Sequence, residues 1–292
     1  MSNTLACDLA VVAQAALPHL QKAAPVLTSV TWDASSALAG GGDSVICRYV
    51  ATNSASIWTS TFAPSDVTAV KVTVTMQEPI FNTVGFSPNE QASYNEQQLA
   101  DTFIGPMIQG VVDAVADKTF RQFPGTATYN AYSASSTSFG FDELQASALK
   151  LLASGSNNLH ALLNAPMEYG LNKDLAGTYG ASAQVINAVE GQYGKQVGKV
   201  KIWPAYNFPK ISTGCAGIVF DPQAVILATR VPPALPGMEQ QIITDPRTGL
   251  SVSIERWGDL TTGKLNYSVK LSMGVLAGRT FCTAHLLDAD NP

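Results

Sequence analysis

Charge is what this sequence has least of. Asp, Glu, Lys and Arg make up 13% of its 292 residues, against roughly 25% in ordinary soluble domains. A lone globule with so few charges presents mostly Ser, Thr, Asn, Gly and apolar side chains to water. Such a surface suits a chain covered by neighbouring subunits, so the composition points to obligate assembly. Clustered cations are missing as well: the formal net charge is −5 and no Lys/Arg-rich block occurs. Gripping phosphates needs such clusters, because counterion release supplies most of that affinity. Direct DNA binding is therefore disfavoured, whereas a mildly acidic wall around DNA is not, since repulsion keeps a wall from trapping the polymer.

The residues that carry chemistry are also sparse. The four cysteines (Cys7, Cys47, Cys215, Cys282) are far apart, with no CxxC or other metal-like spacing, and read as buried reduced thiols. The three histidines (His19, His160, His285) are isolated and no HExxH occurs. There is no GxSxG elbow, no Walker-type loop and no GxGxxG after a strand. The dense glycine cluster Gly40-Gly41-Gly42 precedes a strand instead of opening a helix, so it reads as a hinge. His160, beside an apolar stretch, reads as a satisfied core or interface residue. Asp142 and Glu143 stand where a helix begins, and the helix dipole explains them without catalysis. No enzymatic site, cofactor or metal is expected. The N-terminus has no basic residue before Lys22 and does not resemble a signal peptide. No uncharged apolar run approaches the roughly 20 residues that span a bilayer, so no membrane partner is expected.

What is present is pattern. Hydrophobic residues make up 46% of the chain, and a chain of this size can bury roughly three quarters of its unfolded surface. Residues 5 to 21 predict a short amphipathic helix with Leu9, Val12, Ala16 and Leu20 on one side. That stripe packs either on its own domain or on a neighbour. Ser44 to Val50 alternates, as does Thr68 to Met76, where Val70, Val72, Val74 and Met76 oppose Lys71, Thr73 and Thr75. The segment between them, Ala51 to Val67, is too long for a compact hairpin loop. If the strands pair, it is an arm reaching roughly 40 to 50 Å at about 3.3 Å per residue. Its Ile57, Trp58 and Phe62 either fold back onto their own domain or anchor in an adjacent subunit.

The strongest helical pattern runs from Asn95 to about Phe120, with Leu99, Phe103, Met107, Val111 and Val115 recurring at every fourth residue. Ser93 or Asn95 caps its start, and Pro106 predicts a kink or an entry turn. A second helix is expected from Phe141 to Leu152. Leu159 to Leu163 and Val197 to Trp203 are strand candidates around a Gly-punctuated middle, followed by apolar runs at Ala216 to Phe220 and Ala224 to Thr229. The tail is a β region: Leu250, Val252 and Ile254 alternate with polar residues, as do Leu265, Tyr267, Val269 and Leu271, with a turn at Asp259 to Gly263. Arg279 to Leu286 adds a strand. No internal repeat is present.

In their order these elements resemble tailed-phage major capsid proteins. Gly42-Asp43-Ser44-Val45 resembles the family's entry to its extended loop. Phe86-Ser87 through Ile104-Gly105-Pro106 and Val112-Asp113 resembles the run into its spine helix. Asp221-Pro222-Gln223-Ala224 with Ala228-Thr229-Arg230 looks like the end of the axial domain. Thr244-Asp245-Pro246-Arg247-Thr248-Gly249-Leu250, Trp257-Gly258-Asp259 and Thr262-Gly263-Lys264 look like the closing hairpin of podovirus-type coat proteins. The resemblance implies an α+β fold: N-arm at 1–40, extended β-hairpin loop at 41–78, peripheral domain at 79–165 with its spine helix at about 95–120, axial domain at 166–240, and closing peripheral strands at 241–292. It also implies pentamers and hexamers of an icosahedral capsid around double-stranded DNA, assembled in the host cytoplasm with scaffolding, portal and decoration proteins as partners. Contacts between subunits are then expected at Ile57, Trp58, Phe62, Leu9 and Val12. Some family members crosslink lysine to asparagine, and no such pair aligns here. Two other readings are an encapsulin-type nanocompartment shell, which shares the fold but encloses cargo enzymes, and a β-rich adhesin or fibre protein. The absence of a secretion signal and the long helix stand against the latter.

Overall fold

The structure is a computed structural model that describes residues 8–33, 44–50, 69–77, 79–87, 89–90, 93–123, 129–133, 138–153, 155–179, 195–204, 214–259, 261–279 and 283–288. Its first layer is a mixed sheet in the order β1 (Thr31–Asp33), β10 (Val225–Arg230), β13 (Lys264–Ala277), β12 (Ser251–Asp259) and β11 (Glu239–Thr244), with β4 (Ile80–Phe86) also on β13. The length of β13 organises this sheet. Leu265–Leu271 registers with β4, Lys264–Lys270 with β12, and Ser272–Ala277 with β10. The alternation expected in the tail holds: Val252, Ile254, Tyr267, Val269 and Leu271 are fully buried on one face. Each such side chain contributes roughly 1.5–3 kcal/mol on leaving water.

The same short loop closes both hairpins of this sheet. In Asp245-Pro246-Arg247-Thr248-Gly249 the aspartate accepts the Arg247 N–H at 3.1 Å and the Thr248 hydroxyl at 2.6 Å. In Asp259-Leu260-Thr261-Thr262-Gly263 the aspartate accepts the Thr261 N–H at 2.9 Å and the Thr262 hydroxyl at 2.6 Å. Both loops end on a glycine at positive φ, 75° and 64°, a conformation that a β-carbon disfavours.

Against the buried face lies the long helix α2, Glu96–Phe120. Asn95 caps it in a reciprocal pair with Gln98, its side chain accepting the Gln98 N–H at 2.8 Å. The helix is α-helical over Glu96–Leu99, widens to a π turn over Ala100–Ile104, and is α-helical again over Gly105–Phe120. The π turn is how the chain accommodates Pro106, which has no N–H to donate and whose ring crowds the preceding turn. By length and composition α2 could cross a membrane, but Leu99, Ile104, Ile108, Val111, Val112 and Val115 are buried against its own sheet.

The N-terminal helix α1 (Leu9–Ala23) is capped by Asp8 and lies across α2 and β11. Leu9 is 4% exposed and Val12 0%, so these side chains belong to the chain's own core, where Val12, Ala16 and Leu20 join the cluster under α2. The expectation that Leu9 and Val12 contact a neighbouring subunit is corrected accordingly. The uncharged stripe is buried on the adjacent helix of the same chain.

The second layer is a sheet in the order β5 (Tyr129–Ser133), β14 (Thr283–Asp288), β9 (Cys215–Phe220), β6 (Leu159–Leu163), β8 (Val200–Pro204) and β7 (Lys195–Val197). Helices α3 (Phe141–Ala153) and α4 (Ala165–Tyr179) enclose a second core with it, containing Leu144, Leu151, Leu163, Met167, Leu171 and Val219. The start of α3 is capped across the chain, Asp174 of α4 accepting the Phe141 N–H at 2.8 Å. Where one strand was expected from Val197 to Trp203, Gly198 at φ +60° turns the chain into the β7–β8 hairpin.

Two of the crossings between the layers lie side by side. Asp221 and the 3-10 turn Pro222–Ala224 carry the chain from β9 to β10, and Gly278–Arg279 lies on the way from β13 to β14. The crossings are bonded together: the Gly278 and Arg279 N–H groups donate to the carbonyls of Ala224 and Gln223, each at 2.8 Å. The two cores therefore do not divide at residue 165 or 240. Strands β5 and β6 belong to the second sheet and β10 and β11 to the first, because pairing follows edge availability and not chain order. The C-terminal strand β14 likewise closes the second sheet, between β5 and β9.

Candidate functional site

Among the described residues no group of three or more His, Cys, Asp and Glu side chains is placed to hold a metal. His160 is 3% exposed and His285 is buried, each within the second sheet. His19 lies on α1 with Nε2 3.0 Å from Asp101 of α2. Gln97 and then His19 hold the Asp101 carboxyl below its ordinary range by hydrogen bonding. Glu143, one of the acidic pair at the start of α3, accepts the Gly140 N–H at 3.0 Å, a capping role. These side chains hold elements together.

Among the described residues, one feature pairs with neither of the two larger sheets, a ribbon. Strands β2 (Ser44–Val50) and β3 (Ala69–Thr75) pair antiparallel from Ser44↔Thr75 to Val50↔Ala69, and they form a two-stranded sheet of their own. Seven paired positions at about 3.3 Å each give a ribbon roughly 20 Å long. An isolated two-stranded ribbon is marginal in water.

Among the described side chains of the ribbon, those at its root are docked. Val74 is buried and Met76 half-buried, while Thr73 and Thr75 are exposed, which is the alternation expected from the sequence. Gln77 N–H donates to the Met273 carbonyl at 2.8 Å, continuing the edge that β4 forms on β13. The root approaches β13 at Gly274, where a β-carbon would meet the Thr75 carbonyl oxygen at 2.6 Å and Val74 Cγ1 at 2.9 Å. Beyond the root, Ile46 is exposed on β2. Ile57, Trp58 and Phe62, the candidate anchors, lie outside the described residues, as does the glycine hinge at 40–42.

Other apolar side chains on the surface are spread over both layers: Phe81 on β4 is 67% exposed, with Ile242 on β11, Leu149 on α3 and Tyr169 on α4 also exposed. The outer face of α2 is polar and pre-ordered. Gln97 donates to Asp101 at 2.9 Å, Gln109 to Asp113 at 2.8 Å, and Arg121 to Asp117 at 2.8 Å, each one turn apart.

Among the elements that escaped the sequence reading are β4 and α4; β1, β5 and β11 are others. β4 was obscured by Asn82 and Thr83 in its middle, although Ile80, Val84 and Phe86 share the buried side. α4 was obscured by Gly170 and Gly177; its signal was Met167, Leu171 and Leu175 at every fourth position, with Asn164 accepting the Met167 N–H at 3.0 Å.

No protein-family model matches the sequence, and no curated protein matches it. Solved structures do. The chain superposes on the capsid of Ralstonia phage GP4 with a TM-score of 0.57 at 11% identity, covering 90% of this chain and 86% of that one. The mature capsid of bacteriophage PhiM1 gives 0.53 at 10% identity, with the same shares of each chain. The head of Helicobacter pylori bacteriophage KHP40 gives 0.52 at 8% identity, covering 88% of this chain and 86% of that one. The architecture is thus the α+β fold of tailed-phage major capsid proteins.

Proposed function

We propose that this chain is a structural subunit of an icosahedral phage capsid, copies of which join as pentamers and hexamers around double-stranded DNA. The observation that carries the proposal is the ribbon of β2 and β3. On a fold shared with phage capsids over nine tenths of the chain, its described residues pair with each other and with neither larger sheet, and its root is docked on β13. The low charge content supports the same reading, because a surface poor in ions is covered at little desolvation cost. In this assignment the layer containing α2 is the peripheral domain, the layer containing α3 and α4 is the axial domain, and residues 44–75 are the extended loop. Ile57, Trp58 and Phe62 contact the adjacent subunit. The role is mechanical, without a catalytic centre or cofactor. Assembly takes place in the host cytoplasm, with scaffolding, portal and decoration proteins as partners, and the product is the virion.

Electron microscopy of the purified protein tests this directly. Closed hollow particles are the expected outcome, and deletion of residues 52–65 is expected to leave a folded subunit that no longer closes a shell. A protein that stays monomeric at every concentration, with or without helper proteins, ends the proposal. Particles filled with protein cargo instead of nucleic acid would assign the chain to nanocompartment shells.

A further inference from the structure

The joint between the two layers holds a buried imidazole in a row of aromatic rings. From the end of α2, Phe120 and Phe123 stack at 6.0 Å, and Phe123 meets Phe220 of β9 at 4.7 Å. Phe220 lies 5.9 Å from the ring of His160 on β6, and His160 stacks on Trp203 of β8 at 6.2 Å. Leu162, Trp203, Ile218 and Phe220 share the first core with α2, while their alternate neighbours Ala161, Leu163, Ile202 and Val219 face the second. The row therefore spans the contact between layers, next to the paired crossings at 221–224 and 278–279.

The hydrogen bonding of His160 defines its protonation. Trp203 Nε1–H donates to His160 Nδ1 at 2.9 Å. Indole nitrogen only donates, so Nδ1 must be an acceptor and the ring is neutral with its proton on Nε2. That Nε2 is buried without a hydrogen-bond partner among the described residues. A second proton has to go on Nδ1, where it would face the indole N–H donor to donor, and both nitrogens of the cation would then be unsatisfied.

We propose that His160 and Trp203 form a proton-operated latch that locks the two layers together when His160 is neutral and releases the joint when it is protonated. Among the described residues, the groups near enough to be considered do not offset the new charge. Lys201, beside His160 on β8, adds repulsion. His285 on β14 is a second buried imidazole. Asp221, after β9, is committed to the Gln223 N–H, and Asp117 on α2 to Arg121. Burial first, then Lys201, pushes the His160 pKa from 6.5 down to about 4. A group with a depressed folded-state pKa takes its proton more readily when released, so the closed joint weakens as pH falls from about 6.5 towards about 4 and changes no further below. The inference is independent of shell formation, since every group belongs to one chain.

Hydrogen exchange of the full chain between pH 7 and pH 4, corrected for intrinsic rates, tests the latch. Peptides covering β6, β8 and residues 115–123 are expected to lose protection by up to about tenfold per pH unit through the lower part of that window, while β12 and β13 keep theirs. His160→Gln, whose side-chain oxygen still accepts from Trp203 but takes no proton, should erase the step. Trp203→Phe removes the opposing donor and should move the step to higher pH, which keeps the test decisive if the glutamine variant fails to fold. An unchanged step in His160→Gln, no local step in the wild type, or simultaneous loss in β12 and β13 would each overturn the latch.

Discussion

The carbonyl oxygen of Thr75 stands 2.6 Å from where a β-carbon on Gly274 would begin. The ribbon root thus rests on bare backbone of β13, and one methyl group is enough to lift it. Gly274→Ala is expected to destabilise the chain by about 1–3 kcal/mol, because the obstructing atom is backbone and cannot rotate away. Exchange of the Gln77 N–H, bonded to Met273, should accelerate in the same variant. Unchanged exchange there would mean that the root is clamped elsewhere.

Glu255 is 0% exposed on β12 and forms an ion pair with Lys270 of β13, while Gln240 of β11 donates to its other oxygen at 3.2 Å. Removing the cation leaves a buried carboxylate without its counter-charge. Lys270→Met is expected to destabilise by about 3–5 kcal/mol, and adding Glu255→Met should recover most of that loss. Denaturant unfolding of the two variants measures the difference. A double variant no better than the single one would show that packing, not charge, dominates this site.

Val111 is 1% exposed in the middle of α2. Val111→Asp places an unpaired charge under the sheet and is expected to cost several kcal/mol, on the order of the largest single-site effects. A melting temperature equal to that of the wild type would contradict the assignment of the buried helix face.

The two Asp-x-x-Thr-Gly loops offer an internal control. Asp245 is fully buried and accepts from Arg247 N–H, Thr248 N–H and the Thr248 hydroxyl. Asp245→Ala is expected to cost about 1–3 kcal/mol by stranding those donors. Asp259→Ala, in the more exposed loop, should cost less by thermal unfolding, since water replaces the lost acceptor. Equal losses would show that loop conformation, and not burial, sets the penalty.

The long helix, both tail strands and the register face of β3 were legible in the sequence because their signals are local. Leu99 through Val115 repeat at the helical period, and Tyr267, Val269 and Leu271 repeat at the strand period, whatever lies opposite. The candidate surface was half legible. The long excursion between β2 and β3 marked the ribbon, but Leu9 and Val12 were placed on a neighbour when α2 was already there to receive them.

The sequence by itself determined which faces are apolar, where glycine and aspartate turn the chain, and how little charge the surface carries. These are properties of a residue and its near neighbours. Tertiary structure alone decided that β9 and β10, a few residues apart, lie in different sheets, that β14 returns to the second layer, and that His160 and Trp203 meet at the joint. Strand partners and layer contacts depend on segments distant in the chain competing for the same edges and faces, and no window of the sequence contains both competitors.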